Sequence, residues 1–210
     1  MVNGRLNHTF LGFYSDKELT TEWDPETVHP GGESDLEIRV YADYMEGVWA
    51  FATDFQTLNK ALSNGQNVQI MNDIDCGGES LEFGLYSGII AGNNFTVSNF
   101  KVVSSGTLRK SCFLFSGFGE GTEIKNVSFK GVVFEMFGTA SATGGIQIAA
   151  LAKTSTGATI DNVTVEGTLI TDYEGELSKL NSAFHEDKEG NTVTGFTANI
   201  TVQKQDAPAQ

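Results

Sequence analysis

Proline is scarce, three residues in 210, and cysteine is scarcer at two. Few prolines leave nearly every backbone N–H free to donate to a ladder, and two cysteines are too few for a disulfide scaffold. Basic side chains are also short, 13 against 27 acidic ones, for a net charge of −14. That balance argues against nucleic acid and against anionic membrane surfaces as partners. No apolar run nears the ~18 residues of a membrane span, so membrane insertion is not expected, and Met1 to Arg5 does not read as a signal peptide. The three histidines, His8, His29 and His185, have no histidine or cysteine at ligand spacing, which argues against zinc. No serine sits in a Gly-x-Ser-x-Gly turn, so a serine nucleophile has no candidate. Gly117-x-Gly119-x-Gly121 lacks dinucleotide spacing and opens no helix, leaving a corner rather than a cofactor loop.

Glycine, by contrast, is plentiful at 24 residues, as a chain with many tight corners needs. Phe115 to Phe129 carries a pattern that recurs: Phe115, Gly121, Ile124, Asn126, Val127, Phe129. The same offsets return in Leu151, Gly157, Ile160, Asn162, Val163, Val165, and again in Phe184, Gly190, Val193, Gly195, Phe196, Ala198. Gly195 for asparagine is the natural exchange where the backbone must be left-handed. A looser upstream copy reads Val97, Asn99, Phe100, Val102, so the aliphatic marker falls at 97, 124, 160 and 193. A short fixed motif with steps of 27, 36 and 33 residues is a stacking repeat whose loops absorb the length differences. The motif is β-branched and aromatic without helical periodicity, so the expected unit is strand–turn–strand, stacked in parallel as an all-β solenoid of about five coils. Asn99, Asn126 and Asn162, with Gly195, are expected above one another at one corner, their amides bonding along the stack.

Residues 1–47 hold ten carboxylates against three basic side chains, a composition shift that places a boundary near Gly47. Within them, residues 8–44 read as short strands with turns at Ser15-Asp16, Asp24-Pro25 and Pro30-Gly31-Gly32 around a small aromatic core of Phe10, Phe13, Tyr14, Trp23, Val40 and Tyr41. Thr53 with Gln56 reads as a capping box opening a helix over 53–64 that Gly65 stops, with Phe55, Leu58 and Leu62 on one face. A short amphipathic helix there is the expected lid over the first coil of a domain spanning 48–203. Residues 204–210 read as a polar linker or tail.

Two resemblances attach to particular residues. Phe10-Leu11-Gly12-Phe13-Tyr14, Asp16, Thr20-Thr21, Trp23 and Val40 to Tyr44 resemble the latter half of the Listeria/Bacteroides-type repeat, the β-grasp-like B-repeat module of bacterial surface proteins. Phe13 and Tyr44 stand where that family usually has tryptophan, and the module's opening strand and helix have no counterpart before His8. Asp73-Ile74-Asp75, Gly88 to Val97, Leu114-Phe115 and Ile124 to Val127 resemble the GLUG-type right-handed parallel β-helix of bacterial surface proteins, over residues 51–203. The resemblances imply a piece of a longer extracellular protein, cell-surface or secreted. They also imply an adhesive or structural role, with a host or environmental glycan or matrix protein as partner and further domains on the same polypeptide.

Candidate sites follow, each beside its structural reading. Asp73 and Asp75 are two apart and face one side of a strand, suiting a Ca²⁺ seat, an acid–base pair, or turn-end carboxylates bonded to backbone amides. Cys76 and Cys112 are 36 residues apart, near the repeat length, so they are either a disulfide between coils or two small buried thiols. Tyr86, Phe118, Phe137 and Tyr173 lie near expected loops, where aromatic faces beside Asp172 and Glu174 suit sugar rings; core packing is the other reading. The loops at 138–145 and 171–179 are the expected ligand-binding excursions. Lys101, Lys125 and Lys130 keep open a polysaccharide-processing enzyme, or an accessory module of a surface hydrolase, if they converge with carboxylates such as Asp161 on one face. Five Asn-x-Ser/Thr sequons, at Asn7, Asn94, Asn126, Asn162 and Asn199, read as corner chemistry followed by strand-forming hydroxyl residues.

Overall fold

Short apolar–polar alternations become strands almost throughout the computed structural model, which describes residues 8–24, 39–81, 83–103, 111–137 and 146–206. The chain divides into two units, Met1–Trp49 and Ala50–Gln210.

In the first unit β1 (His8–Tyr14) pairs antiparallel with β2 (Tyr41–Glu46), with an irregularity between Phe10 and Gly12. The aromatic residues do meet: Phe10 lies 4.9 Å from Phe13 and 5.5 Å from Tyr44, and Phe13 lies 6.1 Å edge-on from Trp23. None of the described residues here is fully buried, and Val40, expected in the core, is exposed. Asp16 organises the turn after β1 by accepting from the backbone of Thr20 (3.0 Å) and Thr21 (2.7 Å). These bonds hold its carboxyl below the usual range. The turn expected at Pro30-Gly31-Gly32 lies outside the described residues, as does Pro25.

The second unit is a parallel β-solenoid. Its first pass holds β3 (Trp49–Ala52), α1 (Phe55–Ser63), β4 (Asn67–Ile70), β5 (Ile74–Asp75) and β6 (Phe83–Tyr86). The next holds β7 (Ile89–Ala91), β8 (Thr96–Ser98), β9 (Lys101–Val103), β10 (Ser111–Cys112) and β11 (Phe115–Phe118). Then come β12 (Glu123–Met136), β13 (Gln147–Ile148) and β14 (Ala152–Ser155), followed by β15 (Thr159–Thr171) and β16 (Phe184–Asp187), and last β17 (Thr192–Thr194) and β18 (Thr197–Lys204). One wall stacks β6, β11, β14 and β16, with Phe83, Phe115, Ala152 and Phe184 in register. Three passes of chain separate those four strands, which gives about three turns.

The repeat is legible in the register. Ile124 pairs with Ile160 and Ile160 with Val193; Val127 pairs with Val163, and Phe129 with Val165. Inward side chains form one continuous core in which Phe83 and Phe115 stack at 4.7 Å and Phe115 lies 4.9 Å from Phe118. Asn126 (φ 53°), Asn162 (φ 52°) and Gly195 (φ 62°) turn one corner in successive coils, as the offsets predict. The upstream copy is displaced. Val97 pairs with Phe129 rather than Ile124, whose partner is Ile90. Asn94 (φ 65°) therefore completes the asparagine corner, while Asn99 (φ 57°) turns the next corner against Gly131 (φ 62°). Both corners need a left-handed residue before an apolar one, so the motif alone does not separate them.

The helix is capped one residue later than the sequence suggests. Asp54, not Thr53, is the N-cap: its Oδ1 accepts from the Thr57 N–H at 2.8 Å, and Thr57 Oγ1 accepts from the Asp54 N–H at 3.2 Å. Asparagine-like reach explains the shift, since a carboxylate next to the first turn outcompetes a β-branched hydroxyl one residue back. Leu58, Ala61 and Leu62 are buried, and Phe55 packs against the core at partial exposure. Gly65 (φ 64°) ends the helix.

Candidate functional site

Chemistry-bearing side chains are best placed by the wall that carries them. Asp73 immediately precedes β5 and Asp75 ends it, and both are engaged with the backbone. Asp73 Oδ1 accepts from the Thr96 N–H of the next coil at 2.8 Å. Asp75 Oδ1 accepts from the Gly77 N–H at 2.9 Å and from Asn99 Nδ2 at 3.1 Å, and these bonds lower its pKa. The two carboxylates thus serve coil stacking and a corner. Among the described residues no group of three or more His, Cys, Asp or Glu is arranged to hold a metal ion.

The disulfide reading is overturned: Cys76 and Cys112 are free thiols, both buried. Cys76 follows β5 and donates its N–H to Ser98 O, whereas Cys112 belongs to β10 and pairs with Ile148. They occupy different columns, so their sequence separation is not a coil-to-coil step. Burial, with Asp75 alongside, pushes the Cys76 thiol up to about 11, and burial raises Cys112 further. Neither is a thiolate near neutral pH.

Two of the aromatic candidates are core residues. Tyr86 is 2% exposed and Phe118 3%. Tyr86 donates its hydroxyl to Gln66 O at 2.8 Å, and burial raises its pKa. Phe118 meets Phe184 edge-on at 6.1 Å. The short strands β6 and β11 bury residues at both ends, so alternation cannot tell their faces apart. Phe137 is half-buried at the end of β12, and the neighbouring 138–145 loop lies outside the described residues.

The acidic loop after β15 is where predicted residues do come together. Thr171 is fully buried; its hydroxyl donates to Met136 O at 2.6 Å and accepts from the Tyr173 N–H at 3.1 Å. Lys204 donates to Tyr173 O and lies 3.7 Å from Glu174. Asp172, Glu174, Lys204, Gln205 and Asp206 line an open groove of about 260 Å³. Tyr173 is half-buried beside it and packs on the core. Lys204, assigned above to a tail, is in fact the last residue of β18; the alternation from Thr197 onward carried that signal.

On the outer faces, Lys125 pairs with Glu123 at 2.7 Å and stands in register with Asp161. Lys130 stands level with Ser98, beyond the asparagine corner. That corner carries an amide row: Asn162 Nδ2 donates to Asn126 Oδ1 at 3.0 Å and reaches Asn94 Oδ1 at 3.4 Å. Two positions beyond each asparagine stands a hydroxyl residue, and Thr96, Ser128, Thr164 and Thr197 are in register from coil to coil. This column escaped sequence reasoning, although the sequons spell it out.

No helix among the described residues is long and apolar enough to cross a membrane. Compared with protein-family models, with curated proteins and with solved structures, the chain finds no match in any of the three.

Proposed function

We propose that this chain is part of an extracellular bacterial surface protein, in which a right-handed β-solenoid serves as an adhesive display rod. The observation that carries this reading is the loop after β15. Its backbone is tied to the solenoid's last strand through Lys204, so that Tyr173 and the carboxylates of Asp172 and Glu174 are presented on a fixed frame. A preorganised polar groove beside an aromatic ring suits a glycan or a polar patch of a matrix protein, because little conformational freedom is lost on binding. Incomplete passes at both ends, β3 with α1 and β17 with β18, bring the coil number to about five. The buried face of α1 suits it to closing the first coil. The first unit resembles a partial B-repeat-like module of the kind that joins such rods to further domains.

A polysaccharide-processing role is the second reading, and one observation favours it: Glu123, Lys125 and Asp161 share one outward face. A binding screen of the purified chain against glycans and matrix proteins, with sugar release assayed on every hit, separates the two. Binding without release, weakened by Tyr173→Ala and Lys204→Ala, is the outcome expected of a display rod. Release of sugar that is lost in Lys125→Ala would replace it with the enzyme.

A further inference from the structure

The solenoid ends on an open row of backbone. Among the described residues β16 pairs only with β14, and β17 and β18 pair only with β15, so the far edge of each strand meets no other. A parallel ladder points successive residues to opposite sides. Thr192 donates its N–H to Ala158 O and Gln205 donates its N–H to Thr171 O, both toward the preceding coil. By that alternation Val193, Ile200 and Val202 turn their N–H groups toward the open end. The Ile200 N–H is taken there by Asn181 Oδ1 at 2.8 Å, so this side chain stands where the carbonyl of a further strand would. Ile200 is buried, whereas Val193 and Val202 are exposed. Next to Asn181, the apolar side chains of Phe184, Val193 and Phe196 line a hollow of about 480 Å³ with Asp187 at its rim.

We propose that this end is a docking site for an extended basic strand of a partner protein, which pairs with the edge of the last coil and sets an apolar side chain into the hollow. Exposed edges are commonly guarded by charge or proline, yet residues 190–203 hold neither. The backbone supplies affinity in such strand addition, and a pocket beneath alternate side chains supplies selectivity. Charge decides the occupant. Residues 172–189, which lead to the same end through the loop and β16, hold six carboxylates against two lysines. A basic strand meets that excess favourably, whereas a second copy would bring two acidic ends together in a chain of net charge −14.

This inference goes beyond the display-rod reading and does not rest on it. The test titrates the purified chain with an acetylated and amidated peptide of alternating valine and lysine, matched in length to the eight residues of β18. Saturable binding is expected, with slower hydrogen exchange at the Val193 and Val202 amides. The same peptide with alternate backbone amides methylated keeps its charge but cannot pair, and should bind at least about tenfold more weakly. Glutamate in place of lysine in the peptide should weaken binding as much. Val202→Pro removes one outward donor without touching a bond to β15, and should also weaken binding about tenfold at an unchanged melting temperature. If that variant melts early, the exchange map and the methylated peptide decide. Equal binding by the methylated peptide overturns the site, because attraction to acidic surface then suffices. Equal binding by the glutamate peptide, protection away from the last coil, or no binding at millimolar peptide overturns it too. A dimer of the free chain that itself protects Val193 and Val202 would give the edge to a second copy and overturn the basic strand as its occupant.

Discussion

At the scale of single residues the solenoid is set by its corners. Asn162 combines two requirements, a left-handed backbone and an amide that bonds to the coil before it. Asn162→Ala forfeits both, so a loss of about 2–3 kcal/mol is expected, from the left-handed strain and one net hydrogen bond. Asn162→Gly keeps the backbone angle and loses only the amide, so its cost should be near 1 kcal/mol. Urea unfolding of the two variants checks this, and equal losses would mean that the amide row matters and the angle does not. The residue scale is also where sequence reading succeeded and failed together. Asn126, Asn162 and Gly195 were legible because each precedes an apolar residue at a fixed offset. Asn99 was assigned to the wrong corner for the same reason: two corners of one coil share that grammar, and only the register of Val97 with Phe129 separates them. Tyr86 and Phe118 kept both a loop and a core reading because aromatic residues at strand ends look alike whether the next corner turns them inward or out, and burial decides for the core.

The helix shows what an element adds to its residues. Its existence and its buried face were plain from the spacing of Leu58 and Leu62, yet its cap shifted by one because Thr53 and Asp54 are both good N-caps. Asp54→Ala should therefore lower the melting temperature by a few degrees at neutral pH, whereas Gln56→Ala should leave it unchanged. The pH dependence has a definite sign. The Thr57 bonds hold the Asp54 carboxyl below its ordinary 3.8, so the folded state binds its proton less readily than the unfolded state. The cap's contribution is thus complete above the ordinary carboxylate range and fades as pH falls through the lowered value. Thermal melts of wild type and Asp54→Ala should converge in that acid window; a difference that persists there would show that the neutral carboxyl still accepts from the Thr57 N–H, so that the cap does not depend on its charge.

Over the whole molecule the inward columns run unchanged from the middle of the solenoid to its last coil, and only their cover differs. Ile124 and Ile160 are fully buried while Val193, in the same column, is 44% exposed; Leu169 is fully buried while its partner Val202 is 42% exposed. A coil here is stabilised by its neighbours on both sides, since no single coil closes a core around itself. β12 and β15, each flanked on both sides, therefore cooperate, whereas β17 and β18 lean on β15 alone. Native-state hydrogen exchange should reflect this as a gradient. Amides of β12 and β15 should exchange at rates set by global unfolding, and those of β18 that bond to β15 should exchange faster by opening of the last coil alone. Added denaturant would quicken the β12 amides steeply and the β18 amides little, because the local opening exposes less surface. Uniform protection along the axis would mean that the last coil unfolds only with the rest. In that case the in-register ladder of β15 and β18, eight residue pairs long, would outweigh the missing cover.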